Sequence, residues 1–330
     1  MVITKTPYRI SLFGGGSDYP NWYLKHGGGV ITTSIDKFCY MSCRELPPFF
    51  EHNYRVVYSK IEACNLINEI EHPAVRGVLN SVDNLPTMGL EIHYDGDLPA
   101  KSGMGSSSAF TVGLLLALNG LNGRMLTKRQ LAEEAIYIEQ KVLNETVGSQ
   151  DQIQAAYGGF NHIEFNRNGE FFVEPIMLPQ HTINELDNHL MLFYTGIERI
   201  AATVASTFVP NIDQKRESVR IIQHLADEAL TCLAKDDILE IGILLDEYWK
   251  LKRNLSSKVT NTKINNIYER AKTAGALGGK LNGAGAGGTL LLFAPPDNQE
   301  DIKKELSDLT HIPFTFHSRG SEVVYYSRAQ

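Results

Sequence analysis

The sequence predicts an α+β fold, because strand-like and helix-like segments follow one another without a regular β–α–β alternation. The first half opens with segments rich in β-branched and aromatic residues, which glycine-rich breaks interrupt. The second half holds three amphipathic helices and a further glycine-rich loop. A chain of 330 residues is long enough for two domains. We place them at 1–180 and 181–330, with the boundary in the Pro/Asn-containing stretch around 175–188.

The N-terminal elements are predicted from residue type. Residues 2–4 and 8–13 have the bias of strands and run into the glycine-rich break at 14–18. A second break at 26–29 precedes a strand-like stretch over 30–43. Residues 90–94 are typical of another strand.

A buried helix is predicted over 110–118, which is apolar nearly all round. Thr127 and Gln130 form a capping-box signature for the next helix. Its apolar positions predict one buried stripe of Leu131, Ala135, Ile138 and Val142. The polar segment 148–152 is predicted to be a loop.

The second half is predicted to begin with a strand at 190–194. Apolar residues at helical spacing then mark helices around 219–222, 238–248 and 264–271. A glycine-rich loop at 280–288 precedes an apolar strand at 289–293. The chain is predicted to close with a charged helix at 299–309 and short strands at 314–316 and 323–325.

Composition excludes several classes of protein. The net charge is −7, and no basic block offers the face that a nucleic-acid binder needs. The longest apolar stretch, around 110–121, is too short to span a bilayer, and no signal peptide opens the sequence. The four cysteines have no zinc-site spacing, which favours free thiols in a reducing compartment. We therefore expect a cytoplasmic protein with no membrane and no nucleic-acid partner.

The segment 103–108, Gly-Met-Gly-Ser-Ser-Ser, has the chemistry of a phosphate-binding loop. Small residues allow the backbone to approach a ligand, and the helix, which we expect to begin near Ser107, directs free N–H groups and its positive dipole end at the ligand. The spacing is neither Walker A nor GxGxxG. Taken alone, the segment also fits an ordinary helix start after a glycine turn.

Three segments together resemble the signatures of the GHMP kinase superfamily, in the same order. They are Thr-Pro-Tyr-Arg-Ile-Ser-Leu-Phe-Gly-Gly-Gly-Ser-Asp-Tyr at 6–19, Pro-Ala-Lys-Ser-Gly-Met-Gly-Ser-Ser-Ser-Ala at 99–109, and Lys-Leu-Asn-Gly-Ala-Gly-Ala-Gly-Gly at 280–288. The resemblance covers essentially the whole chain. It implies a ribosomal S5-like N-terminal ATP-binding domain, a ferredoxin-like C-terminal domain and an active site in the cleft between them.

Within the superfamily, the residues of these motifs resemble those of the D-glycero-D-manno-heptose 7-phosphate kinases. Gly15 and Gly16 stand where galactokinases carry Glu-His, and Gly-Ser-Gln-Asp-Gln at 148–152 is similar to the heptose kinases and to the kinase domain of fucokinase. The resemblance implies an ATP- and Mg²⁺-dependent sugar kinase acting on the anomeric hydroxyl of the heptose 7-phosphate.

The resemblance also implies roles for individual residues. Asp151 is expected to be the catalytic base and Arg9 the cation beside it. Ser107 and Glu139 are expected to bind the metal. The ATP phosphates are expected to meet Lys101, Gly103, Met104, Gly105, Ser106, Ser107 and Ser108. The substrate is expected to meet Asp18, Gly15, Gly16, Asp151, Gly283 and Gly285.

Other assignments stay open at the level of sequence. A phosphorylated substrate needs a cationic cradle, for which the candidates are Lys37, Arg44, Arg55, Lys101 and Arg199. The acceptor could be another sugar, such as fucose or galactose. A non-catalytic ATP- and sugar-binding sensor and an ATP-dependent decarboxylase are further alternatives. The retained Asp151 and Glu139 argue against the sensor. The sequence leaves open whether the chain is a monomer or a homodimer.

Overall fold

Two β-sheets with packed helices make up the computed structural model, which describes residues 1–83, 85, 89–197 and 201–327. The strands are β1 (Val2–Phe13), β2 (Gly28–Glu45), β3 (Tyr54–Val57), β4 (Ile61–Cys64), β5 (Leu90–Gly96), β6 (Phe160–Phe165), β7 (Phe171–Pro175), β8 (Leu190–Tyr194), β9 (Gly278–Leu281), β10 (Thr289–Phe293), β11 (Thr310–His311), β12 (Phe316–His317) and β13 (Glu322–Tyr326). The helices are α1 (Pro20–His26), α2 (Pro73–Ser81), α3 (Ser106–Leu121), α4 (Lys128–Tyr137), α5 (Gln150–Tyr157), α6 (Gln180–His189), α7 (Ala201–Ala205), α8 (Arg216–Ala234), α9 (Ile238–Lys252), α10 (Thr262–Thr273) and α11 (Gln299–Glu305). The predicted α+β class is confirmed.

The larger sheet is organised around β2. Its strand order is β13-β1-β2-β5-β3-β4, and β6 and β12 also pair with β2. Along one edge, β2 pairs with β1, and along the other it pairs in turn with β6, β12 and β5. The two predicted N-terminal strands are one continuous strand. Its pairing with β2 shifts register between Pro7 and Arg9, because residues 35–37 of β2 stand opposite the single residue Tyr8 of β1 there.

The end of the chain returns to this first sheet. β12 pairs with β2, and β13 pairs with β1 and forms one edge of the sheet. The last strands of the segment 181–330 therefore complete the sheet that the segment 1–180 begins. The proposed boundary itself stays a prediction, and helix α6 occupies most of the stretch in which we placed it.

The smaller sheet has the order β11-β8-β10-β9. β8 and β10 have the predicted bounds, and α8, α9 and α10 confirm the three predicted amphipathic helices. Helix α9 packs against both β9 and α8. The charged helix α11 ends at Glu305, earlier than predicted, because a turn and β11 follow it.

Helix α3 lies across the larger sheet and packs against β1 and β2. It begins at Ser106, which confirms the start predicted near Ser107, and it is buried on nearly all sides, as its apolar character indicates. The predicted capping box of Thr127 and Gln130 is present at the start of α4. Cys39, Cys43, Cys64 and Cys232 are all free thiols. In the described part of the chain, no helix combines the length and the apolar character that crossing a bilayer requires.

Candidate active site

A cavity of about 230 Å³ lies where elements of both sheets meet. The end of β1, the turn after it, the start of α3, the start of α5 and the end of α9 contribute to its wall. The structure brings most of the predicted site residues to this wall. They are Arg9, Gly15, Gly16, Asp18, Lys101, Gly103, Gly105, Ser106, Ser107, Ser108, Glu139, Asp151 and Gly283.

The segment 103–108 forms a backbone cradle at the start of α3. Gly105 is the N-cap residue with a φ of 72°, a left-handed conformation that suits glycine. The first N–H groups of an α-helix have no intrahelical partners, and no side chain of the described residues caps those of α3. These groups and the helix dipole face the cavity, where they favour an anion such as a phosphate.

The Met104 side chain anchors the cradle from behind instead of lining the cavity. Its sulfur accepts hydrogen bonds from Thr289 Oγ1 at 2.9 Å and from Asn282 Nδ2 at 3.4 Å. The backbone N–H of Thr289 also donates to Ser102 O. Gly285 is not part of the cavity wall either, and it packs against the backbone of Val259, where a Cβ would stand 2.4 Å from Val259 O. The two glycine-rich segments are therefore fixed against each other.

Arg9 and Asp151 form a bidentate ion pair on the cavity wall. Arg9 Nε and Nη2 donate to the two carboxylate oxygens of Asp151 at 2.7 and 2.6 Å. Arg9 Nη1 donates to Gly103 O at 2.9 Å, which ties this pair to the phosphate cradle. The prediction of a loop around Asp151 is wrong, because the residue lies in the first turn of α5. Its side chain remains 25% exposed and faces the cavity.

Asp18 is a second, more deeply buried carboxylate. It accepts hydrogen bonds from the Gly16 N–H at 2.9 Å and from Gln150 Nε2 at 3.0 Å. Burial raises the pKa of Asp18, and the nearby charge of Asp151 raises it further. The two carboxylates thus differ in environment, since one is paired with a cation and the other is held by neutral donors.

A π-helical turn, Ile138–Val142, follows α4 and carries Glu139. The predicted stripe is wrong at this point, because the wider turn changes the helical period and leaves Val142 41% exposed. Glu139 is rotated inward instead and is fully buried. Turns of this kind occur frequently at functional sites.

Ser108 Oγ and Gln152 Nε2 both donate to Glu139 Oε2. Among the described residues, neither Glu139 Oε1 nor Gln152 Oε1 has a hydrogen-bond partner. Both residues line the cavity, as does the exposed hydroxyl of Ser107. Carboxylate, amide and hydroxyl oxygens are the donors that Mg²⁺ prefers. The residues at this position therefore fit a magnesium ion. The serine that contacts Glu139 is Ser108, whereas the resemblance assigned Ser107 to the metal.

Burial raises the pKa of Glu139 to about 7 from an ordinary value of 4.5. Between these pH values the folded state binds the proton more tightly than the unfolded state. The free energy of unfolding therefore falls as pH rises through this window, by up to about 3 kcal/mol. The amide in Glu139→Gln does not titrate, so the variant does not lose stability in this way as pH rises. In metal-free buffer, we expect the Tm of the variant minus that of the native chain to increase by several degrees when the pH is raised from 5 to 8. An equal Tm difference at both pH values would contradict the assignment.

Several cavity residues were not singled out from sequence. Gln150 and Gln152 belong to the polar segment 148–152, from which the sequence predicts no role for them, whereas they donate hydrogen bonds to Asp18 and Glu139. Tyr248, Lys252 and Lys280 also line the cavity. One signal was available for Lys252, because it continues the apolar spacing of α9 with a charged residue.

The candidates for a substrate-phosphate cradle are mostly placed elsewhere. Arg44 and Arg55 pair with Glu91, and Lys37 pairs with Asp36, and none of these three lines the cavity. Lys101 does line it. Arg199 lies outside the described residues.

Two family descriptions match the chain, "GHMP kinases N terminal domain" over residues 58–159 and "GHMP kinases C terminal" over residues 229–310. The matched ranges include the phosphate cradle, Glu139, Asp151 and the glycine-rich segment 280–288. The chain belongs to the GHMP kinases and is an ATP-dependent phosphotransferase.

Two relatives and two solved structures show which kinases the chain is similar to. A D-glycero-alpha-D-manno-heptose 7-phosphate kinase of Campylobacter jejuni is 28% identical over 92% of this chain and 92% of its own length. A galactokinase of Pyrococcus furiosus is 25% identical over 91% of both chains. The solved structure of a D-glycero-D-manno-heptose 1-phosphate kinase from Bacteroides thetaiotaomicron has a TM-score of 0.82 at 25% identity, covering 99% of this chain and 100% of that one. A mevalonate kinase structure shares the fold, with a TM-score of 0.73 at 21% identity over 96% of this chain and 99% of that one.

Proposed function

We propose that this chain transfers the γ-phosphoryl group of ATP to a hydroxyl of a sugar. The observation that carries the proposal is the Arg9–Asp151 pair, because it presents a carboxylate and a fixed cation beside the phosphate cradle. The heptose and galactose kinases among the relatives support a sugar as the acceptor. The acceptor we propose is D-glycero-D-manno-heptose 7-phosphate, and its anomeric C1 hydroxyl is phosphorylated to give the 1,7-bisphosphate.

The heptose assignment is supported by the relative from Campylobacter jejuni and by the space around the first turn. Gly15 and Gly16 have no side chains to fill the cavity beside Asp18. Gly15 packs against the Tyr248 hydroxyl, whereas among the described residues a Cβ on Gly16 would meet only Leu255 Cδ1, at 4.0 Å. The open side of Gly16 is where an acceptor larger than a hexose would extend.

In the proposed reaction, the N–H groups at the start of α3 bind the phosphates of ATP. Asp18 and Gln150 orient the sugar through its hydroxyl groups. Asp151 takes the proton of the acceptor hydroxyl while the hydroxyl oxygen forms a bond to the γ-phosphorus. ADP leaves with the electrons of the P–O bond that breaks. Arg9 holds Asp151 in place and stabilises the negative charge that develops. Glu139, Gln152 and Ser107 would hold Mg²⁺, which neutralises charge on the phosphate oxygens when it is bound.

A coupled ADP-release assay tests this proposal. The panel contains heptose 7-phosphate, mannose, galactose, fucose and mevalonate, each with Mg-ATP. We expect turnover to be confined to the heptose phosphate, above an ATP-only baseline. Turnover on galactose or fucose alone would keep the sugar kinase and replace the acceptor. ATP binding without turnover on any of them would overturn the sugar-kinase proposal in favour of a sensor or a different acceptor class.

A further inference from the structure

A histidine and two glutamates meet on the hairpin of β6 and β7, outside the active-site cavity. They are His162 and Glu164 on β6 and Glu174 on β7. One ligand atom of each residue, a ring nitrogen or a carboxylate oxygen, lies within 4.8 Å of those of the other two. None of the three residues lines the cavity. We call them the hairpin cluster.

The strand pairing of the hairpin produces this cluster. Ile163 and Phe165 are buried, so the alternating residues His162 and Glu164 point to the opposite face of β6. Glu174 stands directly opposite His162 in the antiparallel pair. Glu164 follows two residues further along β6, on the diagonal of the same face. The backbone ladder therefore holds the three ligand groups next to one another.

The imidazole of His162 is the most restrained of the three groups. Its side chain is 12% exposed, whereas that of Glu164 is 49% exposed. Its Nε2 lies over Gly29 of the neighbouring strand β2, where a Cβ would stand only 3.1 Å away. Nδ1 lies 3.8 Å from Glu164 Oε1. This distance is too long for a hydrogen bond, but two ligands of one metal ion, each about 2.0–2.2 Å from it, can be this far apart.

The cluster has negative charge without a basic partner. Two carboxylates that share one face of a hairpin repel each other. Among the residues that the structure describes, no lysine or arginine pairs with Glu164 or Glu174, and no hydrogen bond reaches either ring nitrogen of His162. A divalent cation between the three groups would neutralise the two carboxylates and would use the ring nitrogen as well.

The donor set indicates which class of metal fits. Mg²⁺ and Ca²⁺ prefer oxygen ligands, whereas imidazole suits Zn²⁺ and related transition metals. Zn²⁺ also accepts carboxylate oxygens, and it can take three protein ligands and complete its four-coordinate shell with water. The exposed carboxylates leave one side of the cluster open to water. Zinc is therefore the ion that the hairpin cluster fits best.

We propose that His162, Glu164 and Glu174 bind Zn²⁺, at a site separate from the magnesium position at Glu139. The ion joins the two strands of the hairpin and stabilises their pairing. This proposal is independent of the proposed function, because none of the three ligands contributes to the cavity.

Zinc at this position stabilises a strand that adjoins the active site. β6 follows α5, the helix that carries Asp151, after two glycines. Asn161, near the start of β6, donates hydrogen bonds to Gln154 Oε1 at 2.9 Å and to Gly158 O at 2.7 Å. The hairpin thus supports the end of α5, and the role of the ion is structural.

Titration calorimetry with Zn²⁺ tests the assignment on the metal-stripped chain, with excess Mg²⁺ present to occupy the active site. We expect a single zinc site in the native chain. Glu174→Gln, which changes an exposed side chain, and His162→Gln should each weaken zinc binding by at least about 10-fold. The matched control is His181→Gln, which removes an exposed histidine that pairs with the single carboxylate of Asp236. It should bind zinc as the native chain does.

Thermal unfolding and X-ray absorption give further readouts. Zn²⁺ should raise the Tm of the native chain by a few degrees and leave the Tm of Glu174→Gln nearly unchanged. The absorption spectrum at the zinc edge should show nitrogen and oxygen ligands at about 2.0–2.2 Å. Three results would each overturn the hairpin site: native zinc affinity in Glu174→Gln, no zinc binding by the native chain, or zinc binding that only Glu139→Gln abolishes. Because Glu174 is exposed, its variant decides the question even if His162→Gln does not fold.

Discussion

Asp151→Asn is expected to lower kcat by about 1,000-fold, because an amide cannot accept the proton of the acceptor hydroxyl. The variant keeps the shape of the carboxylate but leaves the Arg9 guanidinium without its ionised partner at 2.6–2.7 Å. ATP binding should change little, since the phosphate cradle is formed by the backbone of another segment. Steady-state kinetics with a saturating acceptor, together with a direct measurement of ATP affinity, check both expectations.

A matched control for this variant is Asp301→Asn, which makes the same change at an exposed position paired with Lys304. The control should keep native kinetics. If Asp151→Asn retained kcat within about tenfold of the native value, Asp151 would not be the base. Such a result would direct attention to Asp18, whose burial raises its pKa and makes it the alternative proton acceptor in the cavity.

Glu139→Gln is expected to raise the Mg²⁺ concentration needed for half-maximal activity by at least about 10-fold. The reason is that Glu139 Oε1 is a buried carboxylate oxygen for which the described residues provide no hydrogen-bond partner, and a hard cation would use it. A readout independent of turnover is the affinity for Mn²⁺ measured by electron paramagnetic resonance in the presence of an ATP analogue. This affinity should fall by a similar factor.

Glu134→Gln provides the comparison for the metal experiment, because Glu134 lies on the preceding helix and pairs with Arg124. It should leave both the Mg²⁺ requirement and the Mn²⁺ affinity unchanged. Unchanged Mn²⁺ binding in Glu139→Gln would remove Glu139 from the metal site and leave it as a buried support for Ser108 and Gln152.

The sequence could predict the fold class and much of the active site because both depend on local signals. The strands at 190–194 and 289–293 were found with their observed bounds, since continuous apolar runs ended by turn residues mark them clearly. The phosphate cradle was recognisable because only small residues allow the backbone to approach an anion. These are properties of short segments, which a sequence records directly.

What the sequence could not show depends on contacts between distant segments or on irregular backbone. The burial of Lys252 and Lys280 arises where α9 and β9 pack beside the end of β1, so neither residue stands out from its neighbours in the chain. The outward position of Val142 comes from a π-helical turn that no regular period predicts. Met104 belongs to a motif for phosphate binding, yet its side chain faces Thr289 because the two glycine-rich segments pack together.

The most direct test of the central claim is a ³¹P nuclear magnetic resonance spectrum of the product formed from ATP and heptose 7-phosphate. Phosphoryl transfer to the anomeric hydroxyl predicts a new phosphorus resonance coupled to the anomeric proton, equal in amount to the ADP produced, beside the original 7-phosphate signal. ADP accompanied only by inorganic phosphate, or a new phosphorus coupled to a different proton, would contradict it.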